Sequence, residues 1–108
     1  MQAGVQGFEA CAAANASGLQ VVGGACPTVG LAGGYTQGEG HSALASMVGL
    51  GADQALEWEV VDGTGRLLTA SRMQNSDLFW ALSGGGGGTY GCGIFDFKSS
   101  QGYPRVGI

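Results

Sequence analysis

The chain has 108 residues, a net charge of −4 and four basic residues, Arg66, Arg72, Lys98 and Arg105, scattered along it. That length holds one small domain, the scatter excludes the basic patch by which nucleic acid is usually bound, and no apolar run approaches the ~20 residues of a membrane-spanning helix. Only 11% of residues are charged, against about 25% in ordinary soluble domains, so part of the surface is expected to be covered and self-association is favoured.

Gly7 to Ser17 is rich in alanine and predicts a helix, with Phe8, Ala12 and Ala16 on one side and Cys11 beside them as a small core residue. Gly18 is a helix stop. Asn15-Ala16-Ser17 is a glycosylation sequon that matters only in a secretory protein, and Met1 to Phe8 lacks the basic and apolar regions of a signal peptide. Leu19 to Val22 is a short apolar run ended by Gly23-Gly24 and predicts a buried strand.

After the glycine-rich stretch Gly24 to Ser42 comes a short helical segment, Ala43 to Val48, ended by Gly49, and a turn at Gly51 to Gln54. Leu56 to Val60 alternates, with Leu56, Trp58 and Val60 on one face and Glu57 and Glu59 on the other. That is the pattern of a half-buried strand whose glutamates form a solvated face. Asp62 to Gly65 is a hairpin turn and Arg66 to Ala70 the returning strand. Asn75-Ser76-Asp77 caps a short apolar helix over Leu78 to Leu82, expected to be buried. Gly84 to Gly88 reads as a tight turn that lets backbone approach a ligand, and Ile94, Phe95 and Phe97 as a final strand. The elements add up to an α+β fold, a small mixed or antiparallel sheet with short helices packed on it.

Glycine makes up 23 of the 108 residues, three times its usual share of about 7%. Each adds unfolded-state entropy, so the isolated domain is expected to be marginally stable. Six of them lie between Gly24 and Ser42, where consecutive backbone N–H groups can form a concave anion site. Gly38-Glu39-Gly40-His41-Ser42-Ala43 satisfies the G-x-G-x-x-A dinucleotide pattern. That pattern should follow a buried strand directly, and Leu31 to Gln37 is a poor one, so a Rossmann-type nicotinamide site stands only as an alternative. His41 beside Ser42 does not make a hydrolase pair, because adjacent side chains are not placed for proton transfer. The three cysteines, Cys11, Cys26 and Cys92, have no CxxC spacing, which argues against a disulfide framework or a zinc site. Cys26 sits in a glycine loop before Pro27, where a thiolate can meet an electrophilic ring.

Taken in order, these motifs resemble a known family. Gly24-x-Cys26-Pro27-Thr28-Val29-Gly30, then Gly33-Gly34, then Gly38-x-Gly40-His41-Ser42, looks like the flavin loop of FAD-linked oxidoreductases. These are the berberine-bridge-enzyme-like members of the vanillyl-alcohol-oxidase superfamily, with the PCMH-type FAD-binding domain. Val48-Gly49-Leu50-Gly51-Ala52-Asp53 and Asp77-Leu78-Phe79-Trp80-Ala81-Leu82-Ser83-Gly84-Gly85-Gly86 match two further family motifs in the right order. The likeness runs from about Gly4 to Gly91.

The resemblance implies FAD as the cofactor. Cys26 matches the cysteine that, in bicovalent members, bonds C6 of the flavin ring. Thr28, Val29, Gly30, Gly33 and Gly34 match backbone along the flavin and ribityl chain. Gly38, Gly40, His41 and Ser42 match the next glycine turn, and Gly91 and Cys92 the segment near the adenosine. Family members pass a hydride from a small-molecule alcohol, amine or sugar to flavin and the electrons on to oxygen. They are often secreted.

Three departures stand out. Glu39 replaces a glycine and brings a carboxylate near an anionic cofactor. Cys92 stands where valine or isoleucine is usual. After Gly93 the pattern fades, so residues 1–93 are expected to be part of the FAD-binding domain and 94–108 a divergent tail. The upstream pyrophosphate loop with its covalent histidine, and the downstream substrate half with its catalytic base, have no match in the chain. A non-catalytic binding or partner module is therefore the other expectation.

Overall fold

The computed structural model describes residues 1–96. The centre of the fold is a three-stranded antiparallel sheet of β1 (Glu57–Val61), β2 (Leu67–Ser71) and β3 (Cys92–Asp96), in the order β2-β1-β3. Trp58 pairs with Ala70 on one side and Phe95 on the other, so β1 is the central strand. The alternation read from the sequence is its burial pattern. Trp58 and Val60 are fully buried, while Glu57 and Glu59 are only half-buried. Leu56 departs from that expectation. It precedes β1 and is exposed, because the pleat that turns Trp58 inward begins at Glu57. Phe97, expected in the last strand, lies outside the described residues.

The β1–β2 turn is built by one side chain. Asp62 Oδ1 accepts hydrogen bonds from the Thr64 N–H at 2.9 Å, the Thr64 hydroxyl at 2.6 Å and the Arg66 N–H at 3.0 Å. Its Oδ2 accepts from Arg66 Nε at 2.9 Å. Asp, Gly and Thr favour turns because the short carboxylate replaces a backbone acceptor and Gly65 takes a φ of +82°.

Against the sheet packs α3 (Ser76–Leu82), which buries Phe79 and Leu82 with Trp58, Val60 and Ala70. The helix is buried on one side only, and Trp80 points away with 80% of its surface exposed. An apolar sequence made the whole helix look buried, yet three elements cannot enclose it on every side. Asn75 does not cap α3 through its side chain. It takes a left-handed conformation and its Nδ2 donates to the Thr69 carbonyl at 2.7 Å, tying the helix start to β2.

The N-terminal third is held differently. Helix α1 (Gly7–Ala16) ends at Gly18, whose φ of +70° is the left-handed stop that glycine supplies. Its buried residues are Gly7 and Ala10, while Phe8, Ala12, Ala16 and Cys11 are exposed, contrary to the expected core face. The helix docks by its N-terminus. The Gly7 N–H donates to the Val29 carbonyl at 3.0 Å and the Phe8 N–H to the Pro27 carbonyl at 2.9 Å. Leu19–Val22 forms no strand. Val22 is buried, but a short apolar run reports burial and not pairing, and no described strand runs beside it.

Leu31–Tyr35 is a single π-helical turn kinked at Gly33, and α2 (Ala45–Val48) is one turn ended by Gly49 at φ +86°. No helix among the described residues is long and apolar enough to cross a membrane.

Candidate functional site

Beside the π-turn lies a groove of about 470 Å³, lined by Val29, Gly30, Gly33, Gly34, Gly88 and Gly91 together with Ala3, Gly4, Tyr35 and Gln37. Three chain segments make it. The segment 27–31 is held by the first residues of α1, which donate to the carbonyls of Pro27 and Val29, and by the residue two before the helix, since the Leu31 N–H donates to the Val5 carbonyl at 3.0 Å. Gly88 comes from the second glycine run and Gly91 from the entry to β3.

The glycines fall into two kinds. A Cβ built on Gly30, Gly33 or Gly34 would meet nothing within 4 Å. Inside the chain these positions have room for a side chain, so the missing Cβ atoms leave open space along the groove. Gly38 and Gly40 are tightly enclosed. A Cβ on Gly38 would come 2.6 Å from the Gly34 carbonyl, and one on Gly40 would come 2.9 Å from the Tyr35 ring. Gly24 and Gly51 abut the same ring. Tyr35 is thus a post around which the loop is wound, and its hydroxyl donates to the His41 carbonyl at 3.1 Å. Burial of the ring, with the charge of Cys11 adding, raises the Tyr35 pKa, so it is a protonated donor at neutral pH.

The sequence-derived residues therefore separate. Val29, Gly30, Gly33, Gly34 and Gly91 meet in the groove. Cys26 and Thr28 are exposed on the loop leading into it, with Cys26 Sγ 3.8 Å from Thr28 Oγ1. Gly38, Gly40, His41 and Ser42 do not line the groove: Gly38 packs on the Gly34 carbonyl, and Gly40 and the His41 carbonyl meet Tyr35. His41 is exposed, and buried Ser42 accepts from the Leu44 N–H at 3.2 Å. Cys92 opens β3 opposite Val61. Glu39 does not line the groove. Its side chain faces a separate depression of about 330 Å³ shared with Trp80, Ser83, Gly84 and Tyr90.

Five groove residues, Ala3, Gly4, Tyr35, Gln37 and Gly88, were not among the candidate residues of the sequence. Gly88 was visible as part of a glycine run, though not as a partner of Gly33. Gln37 is 1% exposed, and its side-chain oxygen has no hydrogen-bond partner among the described residues. A polar residue between Thr36 and Gly38 gives no sign of burial in sequence.

The G-x-G-x-x-A pattern also has its answer. The residues before Gly38 form a kinked helical turn and not a strand, so the strand–turn–helix geometry of a Rossmann site is absent here. Among the described residues no three His, Cys, Asp or Glu side chains converge as metal ligands.

No family model matches the chain. Individual proteins do. It is 71% identical, over its whole length, to the FAD-linked oxidoreductase patO of Aspergillus clavatus. The crystal structure of the VAO-type flavoprotein MtVAO615 from Myceliophthora thermophila superposes with a TM-score of 0.82 at 59% identity over 87% of the chain. The chain belongs to the FAD-linked oxidoreductases of the vanillyl-alcohol-oxidase type. A third relative of this family is the glucooligosaccharide oxidase of Acremonium strictum, described with 6-S-cysteinyl, 8α-N1-histidyl FAD. It matches 90% of the chain at 33% identity with a TM-score of 0.80. The chain spans only 18–20% of the length of these FAD-linked relatives.

Proposed function

We propose that this chain forms the flavin-holding part of an FAD-dependent oxidase acting on an alcohol, amine or sugar-like substrate. The observation that carries the reading is the open space over Gly30, Gly33 and Gly34 in a groove where six of the ten lining residues are glycine. A planar, polar ring system needs close approach to main-chain N–H and C=O groups, which side chains would prevent. FAD, when bound, supplies the hydride acceptor.

The chain's own contribution is binding and orientation. Val29, Gly30, Gly33 and Gly34 hold the flavin and ribityl chain by main-chain groups. Gly91 and Cys92 lie toward the adenosine, and Gly38, Gly40, His41 and Ser42 keep the loop in shape around Tyr35. Cys26 is the covalent attachment point, a thioether to the ring C6, with dioxygen taking the two hydrogens that leave. Its exposed thiol beside Thr28 supports this, as does the cysteinyl flavin of the Acremonium oxidase. The residues that remove the substrate's proton belong to no position identified in the chain.

The test is the absorption spectrum of the purified protein, followed by acid precipitation and intact mass. Flavin bands are expected, with an adduct that survives acid in the wild type and disappears in Cys26→Ser. Tight nicotinamide-dinucleotide binding without any affinity for FAD would overturn the reading.

A further inference from the structure

We propose that Gln37 reads FAD, its side-chain oxygen accepting a hydrogen bond from an uncharged O–H or N–H group of the cofactor; this rests on the FAD reading above. Gln37 is 99% buried (1% exposed) and belongs to the lining of the glycine groove. Its Nε2 donates to the Ala32 carbonyl at 3.2 Å, and its main-chain carbonyl accepts from the Gly86 N–H at 2.8 Å. Those two bonds fix the residue between the π-turn and the second glycine run. They also fix which way the amide faces. Ala32 O can only accept, so reversing the amide would set two acceptors against each other. Oε1 is therefore committed away from Ala32, and there it has no partner among the described residues.

A buried carbonyl without a donor is costly, and folded chains seldom leave one so. Gln37 itself belongs to the lining of a groove large enough to admit a ligand. The chemistry restricts that ligand. An amide oxygen repels phosphate, so the pyrophosphate does not sit at Gln37. The group that does is a donor from the flavin half (ring imide or ribityl hydroxyls) or from the adenosine half (ribose hydroxyls or adenine amine). Gln37 is a positioning residue that sets how far along the groove FAD lies.

The experiment is a titration of the wild-type chain and Gln37→Met with FAD, riboflavin and ADP, followed by flavin fluorescence or calorimetry. Methionine keeps the length and removes the acceptor together with the Nε2 donor to Ala32, so the resonance measurement below, made without a substitution, separates contact with FAD from support of the π-turn. FAD affinity should fall about 5- to 30-fold, the loss of one buried hydrogen bond. A parallel loss for riboflavin assigns the donor to the flavin half, and a loss for ADP alone to the adenosine half. Equal FAD affinity in the two proteins overturns the role of Gln37 while leaving the FAD reading intact. A wild-type chain that takes up no FAD overturns both, and does so before any variant is made. A second readout needs no substitution. The ¹³C resonance of the Gln37 carboxamide should shift on addition of FAD while that of Gln54, whose Nε2 is engaged with the Val48 carbonyl, stays put. An unmoved Gln37 resonance in FAD-bound protein also overturns the proposal.

Discussion

Gly87 lies against Gly34 so closely that a Cβ built on Gly87 would come 2.7 Å from the Gly34 Cα and 3.1 Å from its nitrogen. The two glycine-rich segments, far apart in sequence, thus meet backbone to backbone. This contact joins the loop that opens the groove to the run that closes it at Gly88.

Gly87→Ala is therefore expected to push the two segments apart. Overpacking of this kind costs about 1–3 kcal/mol. Thermal unfolding should show a lowered Tm, and FAD affinity should drop with it because the groove wall moves. Gly63→Ala is the control. Its Cβ would meet nothing within 4 Å, so its effect should stay within about 0.5 kcal/mol.

Glu39 has a φ of +81°, a conformation that costs a non-glycine residue about 1–2 kcal/mol. Part of that is offset by the extra unfolded-state freedom a glycine brings. Glu39→Gly should stabilise the chain by about 0.5–1 kcal/mol, visible as a Tm rise of a few degrees. Its carboxylate faces the depression beside Trp80 and not the groove. FAD affinity should therefore change little even at low salt, against the repulsion that the sequence alone suggested.

Asp62 carries the pH dependence of the β1–β2 hairpin. The Thr64 hydroxyl first, then the N–H of Arg66 and its side chain, hold the Asp62 carboxyl well below the ordinary carboxylate range. A depressed folded-state pKa contributes stability above the unfolded value of about 4 and loses it as pH falls toward the folded one. Asp62→Ala should lower Tm at pH 7. Melts at decreasing pH should show the gap to wild type closing below about pH 4.

Cys11 and Cys26 are both free and exposed. Iodoacetamide should alkylate both in the FAD-free chain, read by peptide mass. Saturation with FAD should slow alkylation of Cys26 several-fold and leave Cys11 unchanged. Equal protection of the two thiols would place the flavin elsewhere.

Local patterns carried much of this protein into its sequence. The alternation of Trp58 and Val60 with Glu57 and Glu59 fixed β1, because a pleated strand has only two faces. Asp62 to Gly65 fixed the turn, because a short carboxylate and a left-handed glycine satisfy a hairpin locally. Gly18 ended α1 for the same reason. The glycine loop leading from Cys26 was legible as a place of unusual backbone freedom, and part of it, Gly30, Gly33 and Gly34, lines the groove. What tertiary structure alone decided is which glycines serve the chain and which leave space. Gly38 and Gly40 are glycines because Gly34 and Tyr35 crowd them, whereas Gly33 and Gly34 face an open groove. No spacing in the sequence separates these cases, since each depends on atoms brought in from another segment. The same holds for Gln37, whose burial is made by the fold around it, and for Trp80, left exposed because the sheet covers one side of α3 alone.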